Sequence, residues 1–83
     1  MTREDYIAMF KSIDIGDRLT FMWLSDGNII VYRCIINYLD SFNYYISMRD
    51  EISGPICRSL KMTWHEKIIM YDIEKKNNDA PVK

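Results

Sequence analysis

The feature that most constrains this fold is an Asp-Gly pair placed between two apolar runs. Residues 19–39 read LTFMWLSDGNIIVYRCIINYL, and the pair occupies residues 26–27. Gly and Asp tolerate the positive φ angles that a two-residue hairpin turn requires. Before the pair, Leu19, Phe21 and Trp23 recur at every second position, which is the period of a strand with one buried face. The sequence therefore predicts a β-hairpin in the first half of the chain.

The second strand of this hairpin, from Ile29 to about Leu39, is apolar on both faces. One face has Ile30, Tyr32, Cys34, Ile36 and Tyr38, and the other has Ile29, Val31, Ile35 and Leu39, interrupted by Arg33 and Asn37. A sheet with one face in water does not need such a strand. A strongly bent strand of a small barrel does, and so does a strand that pairs with a second subunit. We expect the hairpin to be barrel core, with part of its apolar surface in an interface.

The residues before the hairpin predict one helix. Thr2 and Asp5 have the spacing of a capping box, in which the threonine hydroxyl accepts a first-turn N–H. The next apolar residues follow the helical spacing, and they are Tyr6, Met9, Phe10 and Ile13. Gly16 lies where such a helix would end. We expect this helix to lie over one end of the sheet.

The residues after the hairpin predict three more strands. Residues 40–43 form a turn, and Tyr44, Ile46 and Met48 then alternate with Tyr45, Ser47 and Arg49. A break that includes Pro55 follows, and alternation resumes over residues 57–64 and again from Ile69 to Ile73, with a turn or bend at His65. The predicted fold is mainly β: an N-terminal helix followed by a five-stranded, strongly bent small β-barrel. It forms a single domain of residues 1–74, with a flexible polar tail at residues 75–83.

Length and charge narrow the function. The 83 residues leave room for one hydrophobic core, and the formal net charge is −1. This balance argues against a protein that coats nucleic acid mainly by charge. Residues 1–51 have 5 basic and 8 acidic groups, whereas residues 52–83 have 6 and 4. An anion-binding face is therefore expected to involve the second half.

Cysteine content and hydropathy predict a cytoplasmic protein. Cys34 and Cys57 are too few for a disulfide scaffold and form no CxxC motif, so we expect reduced, buried thiols. No apolar run reaches the roughly 18–20 residues that cross a bilayer. The charged residues 3–5 are not followed by the apolar segment of a secretory signal. No contact with a membrane is expected.

The sequence offers little for catalysis or metal binding. His65 is the only histidine, and a Cys–His pair with Cys34 or Cys57 would lack a third orienting group. The acidic residues cluster at predicted turns, where aspartate is favoured for local hydrogen bonding. Two separated cysteines and one histidine are too few for a structural metal site. We predict a non-enzyme without a metal or cofactor.

Over residues 4–74, the order of the elements and several short motifs resemble those of the Sm-like family of small β-barrels. The matching positions are Leu24, Asp26 and Gly27 in the first hairpin and Asp40, Phe42 and Asn43 after the second strand. The glycine of the family's second strand is replaced here, near Tyr32 or Arg33, and no Arg-Gly motif occurs near Ile68. The resemblance implies a homo-oligomer that binds RNA or a nucleotide-type ligand in pockets between subunits. Small barrels of the SH3 or OB type are alternatives.

Aromatic and basic side chains supply the candidate ligand site. Aromatic faces stack on bases and basic groups contact phosphate, although the same rings can instead fill a small core. The candidate residues are Asp40, Phe42, Asn43, Tyr45, Arg49, Arg58 and Lys61.

A second hypothesis is a protein-binding inhibitor or adaptor. The abundance of Ile, Tyr, Asn and Lys in a short chain resembles the small accessory proteins of bacterial viruses, which bind a host protein. Exposed Tyr, Trp and Arg would then form the contact, since these residues dominate protein interfaces.

Overall fold

A computed structural model describes residues 1–54 and 56–76, which form one α-helix, five β-strands and a 3-10 helix. The elements are α1 (Arg3–Ser12), β1 (Arg18–Ser25), β2 (Asn28–Asp40), β3 (Tyr45–Asp50), β4 (Cys57–Leu60), the 3-10 helix (Met62–Lys67) and β5 (Ile68–Glu74). The predictions of a mainly β chain, a leading helix and five strands are confirmed. The predicted tail lies mostly outside the described residues.

Helix α1 begins as its sequence predicts. The Asp5 N–H donates to Thr2 Oγ1 at 3.0 Å, and the Thr2 N–H donates to Asp5 Oδ2 at 3.4 Å, which completes the capping box. Tyr6, Met9 and Phe10 are buried. The helix ends at Ser12, earlier than Gly16, because the next residue already has extended backbone.

The five strands form one antiparallel sheet in the order β4-β3-β2-β1-β5. Asp26 and Gly27 have φ angles of 50° and 79° and close the β1–β2 hairpin, as predicted. Strands β4 and β5 are the two outer strands, and within residues 1–54 and 56–76 they do not pair with each other. The sheet is therefore open, and closure into a barrel stays a prediction.

One face of the sheet packs against α1 and forms the core. Its buried members are Leu19, Phe21, Cys34, Ile36, Ile46, Met48, Leu60 and Ile68, joined by Tyr6, Met9, Phe10 and Ile13 from the helical segment. Directly opposed residues of antiparallel strands point to the same face, so the pair of Phe21 with Tyr32 and the pair of Met48 with Arg58 belong to this face. The opposite face has the alternate residues of the strands, such as Met22 and Val31.

The start of β2 lies outside the core. Ile29, Ile30 and Val31 are exposed, because β3 pairs with β2 only from Cys34 onward. The hairpin is therefore core only in the half that is farther from the Asp26-Gly27 turn, and the surplus apolar surface that was predicted for an interface lies in the half next to the turn. Its outer half extends apolar side chains into solvent.

The structure also departs from the predicted period-two alternation at two places. The β2–β3 register shifts between Ile36 and Tyr38, so Tyr38 leaves the face that it was predicted to share with Ile36. Strand β4 ends at Leu60, and residues 62–67 form the 3-10 helix in place of the predicted strand up to Trp64. This turn brings the Trp64 ring to 6.0 Å from the Trp23 ring, in edge contact.

Asp17 links the segment between α1 and β1 to the residues that follow β5. Its carboxylate accepts from the Asp14 N–H at 2.8 Å, the Lys76 N–H at 2.8 Å and Lys75 Nζ at 2.6 Å. Burial alone would raise the pKa of this carboxyl, but the three hydrogen bonds outweigh burial and lower the pKa. The charged carboxylate is therefore favoured by folding.

We expect the free energy of unfolding to fall as the pH drops below 3.8, the ordinary pKa of aspartate. A group whose pKa is lowered by folding stabilises the fold above its unfolded-state pKa and loses this contribution as acid protonates it. Urea unfolding at a series of acid pH values measures the effect. The variant Asp17→Asn should show a shallower pH dependence, and an unchanged slope would contradict the role of Asp17.

Candidate ligand-binding groove

A surface groove lies at the end of the sheet where the β2–β3 turn, the end of β4 and the start of α1 meet. Its volume is about 780 Å³. Five of the seven candidate site residues line it, namely Asp40, Phe42, Asn43, Tyr45 and Lys61. Arg3 and Tyr38 complete its cationic and aromatic lining. The structure therefore brings most of the predicted site together.

The β2–β3 turn is built by Asp40. One carboxylate oxygen accepts the N–H of Phe42 at 2.9 Å and of Asn43 at 3.4 Å, and the other accepts Asn43 Nδ2 at 2.9 Å. The hydrogen bond from the Asn43 side chain lowers the pKa of Asp40 most, and the hydrogen bond from the Phe42 N–H lowers it further. Asp40 is thus an ionised residue that shapes the turn, with both oxygens already bonded.

Phe42 stands at the tip of this turn and is 90% exposed. Full burial of a phenylalanine side chain would contribute about 1.5–3 kcal/mol to stability, and the exposed Phe42 ring makes no such contribution. Asp40 holds the backbone N–H groups of Phe42 and Asn43, which places the Phe42 backbone at the edge of the groove. An exposed aromatic ring at such a place is suited to stacking on a planar ligand.

Tyr44 anchors the turn to α1. It has a φ angle of 54°, a conformation that a non-glycine residue adopts at a cost. Its carbonyl accepts the Tyr6 hydroxyl at 2.7 Å, and its ring lies 5.3 Å from the Phe10 ring in edge contact. These two contacts hold the strained residue, and they link the groove to the buried face of the helix.

Tyr38 and Tyr45 form the aromatic wall. Their ring centroids are 6.3 Å apart, and Tyr38 is half exposed. Lys61 and Arg3 add positive charge to the lining of the groove. Lys61 Nζ also lies 5.0 Å from the Trp64 ring centroid, a cation–π distance that favours one orientation of this flexible side chain.

Arg49 and Arg58 lie outside the groove. Arg49 is exposed on β3, four residues beyond Tyr45. Arg58 Nε donates to the buried Asp50 carboxylate at 3.0 Å, and its guanidinium stacks 4.7 Å from the Tyr32 ring centroid. The structure therefore does not bring these two arginines together with Phe42 and Lys61 in this groove.

Arg58 instead lines a smaller cleft on the core side of the sheet. This cleft of about 290 Å³ lies between β1, β4 and the 3-10 helix, and Phe21, Trp23, Tyr32 and Trp64 contribute its rings. The Phe21 ring contacts the rings of Trp23 and Tyr32, and Lys67 Nζ lies 6.0 Å from the Trp23 ring. Because these rings already contact one another and nearby cations, we assign the cleft a structural role.

The thiols and His65 do not form a nucleophilic pair of the usual kind. Cys34 is buried, and burial, followed by the negative charge of Asp50, raises the pKa of its thiol to about 11. A reactive cysteine needs a lowered pKa. Cys57 is exposed, so the prediction that both thiols are buried is wrong for it. His65 Nδ1 lies 2.8 Å from the Met1 carbonyl oxygen.

Residues 1–54 and 56–76 contain neither a candidate metal site nor a candidate membrane-spanning helix. No group of three or more His, Cys, Asp and Glu side chains is placed to hold a metal ion among these residues. No helix in this part of the chain has the length and hydropathy to cross a bilayer.

The predicted site left out five residues that line the groove, which are Arg3, Tyr38, Tyr44, Met62 and Thr63. Strict alternation puts Tyr38 on one face with Ile36, because the bulge near Asn37 has no strong sequence signal. Arg3 reaches the groove only because α1 packs beside the β2–β3 turn. Both positions depend on contacts between distant parts of the chain.

Comparisons of this chain with protein-family models, with curated proteins and with solved structures find no match.

Proposed function

We propose that this protein is a non-enzymatic binding module that takes single-stranded RNA or a nucleotide-type ligand in the groove at the β2–β3 turn. The observation that supports this most is the exposed Phe42 ring, which lines one groove with Tyr38, Tyr45 and Lys61. We further propose that the module acts in the cytoplasm as a homo-oligomer of small Sm-like or SH3-like barrels.

The chemistry of the groove fits a base attached to a phosphate. Stacking of a base on an aromatic side chain contributes about 1–3 kcal/mol, and it tolerates different bases. Lys61 and Arg3 can contact phosphate oxygens in the groove. The ionised Asp40 carboxylate repels phosphate, so a bound phosphate group would lie beside Lys61 and Arg3 and away from Asp40.

The charge of the chain limits how much phosphate contacts can contribute to the affinity. A net charge of −1 and only two cationic side chains at the groove provide for few phosphate contacts. The affinity should therefore depend weakly on salt, because the slope follows the number of neutralised phosphates. Stacking, rather than charge, would supply most of the binding free energy.

Self-association is supported by the unpaired outer strands. An open sheet presents unpaired N–H and C=O groups along β4 and β5, and proteins generally cover or pair such edges. A second copy could cover them, and head-to-tail pairing that returns to its start gives a ring. Barrel closure would then depend on the assembly.

The alternative is an inhibitor or adaptor, viral or accessory, that binds a host protein. The exposure of Phe42 beside two tyrosines also favours this function, because aromatic residues at a surface often anchor protein interfaces. The ligand distinguishes the two: a protein partner would leave the affinity for oligonucleotides unmeasurable.

We expect Phe42→Ala to weaken the binding of a short, fluorescently labelled oligouridylate about 5- to 100-fold, because one stacking contact is lost. Fluorescence anisotropy measures the dissociation constant. Ile52→Ala is the matched control, since Ile52 is an exposed apolar residue outside the groove, and its affinity should not change. Equal affinities of Phe42→Ala and the unmodified protein would remove the groove from the function.

A further inference from the structure

The face of the sheet that lies opposite the core has an apolar patch across three strands. Val31, Met22 and Met70 oppose one another on β2, β1 and β5, and Leu24 opposes Ile29 in the next row. We call these five residues the β1 patch. Met70, Ile29, Val31 and Leu24 are all exposed, and β1 patch side chains account for much of the apolar surface of the outer hairpin. A contiguous apolar patch of this kind usually marks an interaction surface.

A polar row borders the β1 patch. Thr20 lies between Arg33 on β2 and Asp72 on β5, one row beyond Met22. Among residues 1–54 and 56–76, neither Arg33 nor Asp72 forms an ion pair. The face therefore has a positive group on one side of β1 and a negative group on the other, at the same height along the strand.

We propose that the β1 patch docks a second copy of this chain, face to face, about a twofold axis that runs along β1. This axis places β2 of one copy over β5 of the other. Arg33 of each copy then faces Asp72 of the other copy, which gives two such pairs in the dimer. Val31 of each copy lies over Met70 of the other, and the two Met22 side chains meet at the axis. Stacked sheets lie about 10 Å apart, which a long arginine and a short aspartate side chain can bridge.

The charges select this axis over the other in-plane twofold. An axis perpendicular to the strands through Met22 would place the polar row of Arg33 and Asp72 over the apolar row of Leu24 and Ile29. Charged groups would then be buried without partners, which is unfavourable. Arg18, two rows from Met22, would face its own copy along the chosen axis, but its charge is already paired with Glu51 and Glu74.

The shape of the patch also suits a partner side chain. A shallow depression of about 150 Å³ lies between Met22, Val31 and Met70 at the border with Thr20 and Asp72. Methionine is flexible and fills irregular gaps, so the opposing Met70 or Met22 can enter this space. Covering the patch would bury the exposed half of the hairpin that the core leaves in solvent.

This inference deepens the proposed self-association and does not depend on ligand binding in the groove. The groove lies at the β2–β3 turn, whereas the β1 patch is centred on the β1–β2 hairpin. Loss of dimerisation with intact oligouridylate binding, or the reverse, therefore separates the two proposals.

Sedimentation velocity over a micromolar concentration series tests the dimer. The unmodified chain should show a concentration-dependent step that doubles the mass of the smaller species, whether that species is one copy or an edge-paired ring, and Met22→Glu should abolish this step because two carboxylates would meet at the axis. Ile52→Glu is the matched control, since Ile52 is exposed and lies outside the patch, and it should dimerise normally. A monomer at every concentration would overturn the proposal and leave the patch to a different partner.

A charge exchange tests the axis itself. Arg33→Asp alone and Asp72→Arg alone should each raise the dimer dissociation constant about tenfold, because like charges then face each other twice. The double variant, Arg33→Asp with Asp72→Arg, should restore the dimer. A dimer that is indifferent to all three variants would overturn this arrangement. Circular dichroism checks that each variant stays folded.

Discussion

Replacement of Tyr6 by alanine is expected to lower the free energy of unfolding by about 3–5 kcal/mol, the usual effect of removing a buried aromatic ring. Tyr6 is fully buried in the shared core of α1 and the sheet, and its hydroxyl donates to the Tyr44 carbonyl at 2.7 Å. Burial also raises the pKa of this hydroxyl, so it stays a donor at all ordinary pH values. A small domain has a total stability of about 5–15 kcal/mol, so much of it would be lost.

Urea unfolding followed by far-ultraviolet circular dichroism measures this change. Tyr6→Phe should cost only about 1–2 kcal/mol, because the ring stays and only the Tyr44 carbonyl loses its donor. Tyr38→Ala serves as a control, since Tyr38 is half exposed at the groove and should change stability little. Equal effects of Tyr6→Ala and Tyr38→Ala would contradict the anchoring of α1 described above.

Replacement of Asp50 by alanine should lower the free energy of unfolding by about 3 kcal/mol, because it removes one partner of a largely buried ion pair. One carboxylate oxygen accepts the N–H of Ile52 at 2.7 Å and of Ser53 at 3.0 Å, and the other accepts Arg58 Nε at 3.0 Å. These N–H donors, Ser53 first, lower the pKa of Asp50. The variant would leave two backbone donors and the Arg58 charge without their partner.

Asp40 provides a matched control for Asp50. It makes the same pair of bonds to the N–H groups two and three residues later, but it is only half-buried and forms no ion pair with an arginine among residues 1–54 and 56–76. Asp40→Ala should therefore cost about 1 kcal/mol or less, the usual contribution of an exposed turn hydrogen bond. If both variants lose the same stability in urea unfolding, burial and the Arg58 contact do not matter as proposed.

Local interactions explain what could be predicted from the sequence. The Asp-Gly turn, the capping box of Thr2 and Asp5, and the Asp40 turn each depend on residues within a few positions of one another. Alternation located β1, β2 and β3 for the same reason, because a side chain's face follows from its neighbours along the strand. The fold class and five of the groove residues followed from these signals.

Contacts between distant residues explain what could not be predicted. The side of the sheet on which Tyr38 lies depends on a bulge in the pairing of β2 with β3, and Arg58 was misassigned because its partner Asp50 lies across the β3–β4 connection. The exposure of Ile29 and Val31 depends on where β3 begins to pair with β2. Period two gives the same pattern for a buried strand and for one that extends into solvent.

The most direct test of a base-binding groove is a titration of the isotope-labelled protein with oligouridylate, followed by amide and aromatic chemical shifts. The account predicts shifts that cluster at residues 38–45 and 61–63 and at Arg3, with little change at Met22, Val31 and Met70. A spectrum that does not change at saturating oligouridylate, or changes confined to the opposite end of the sheet, would contradict it.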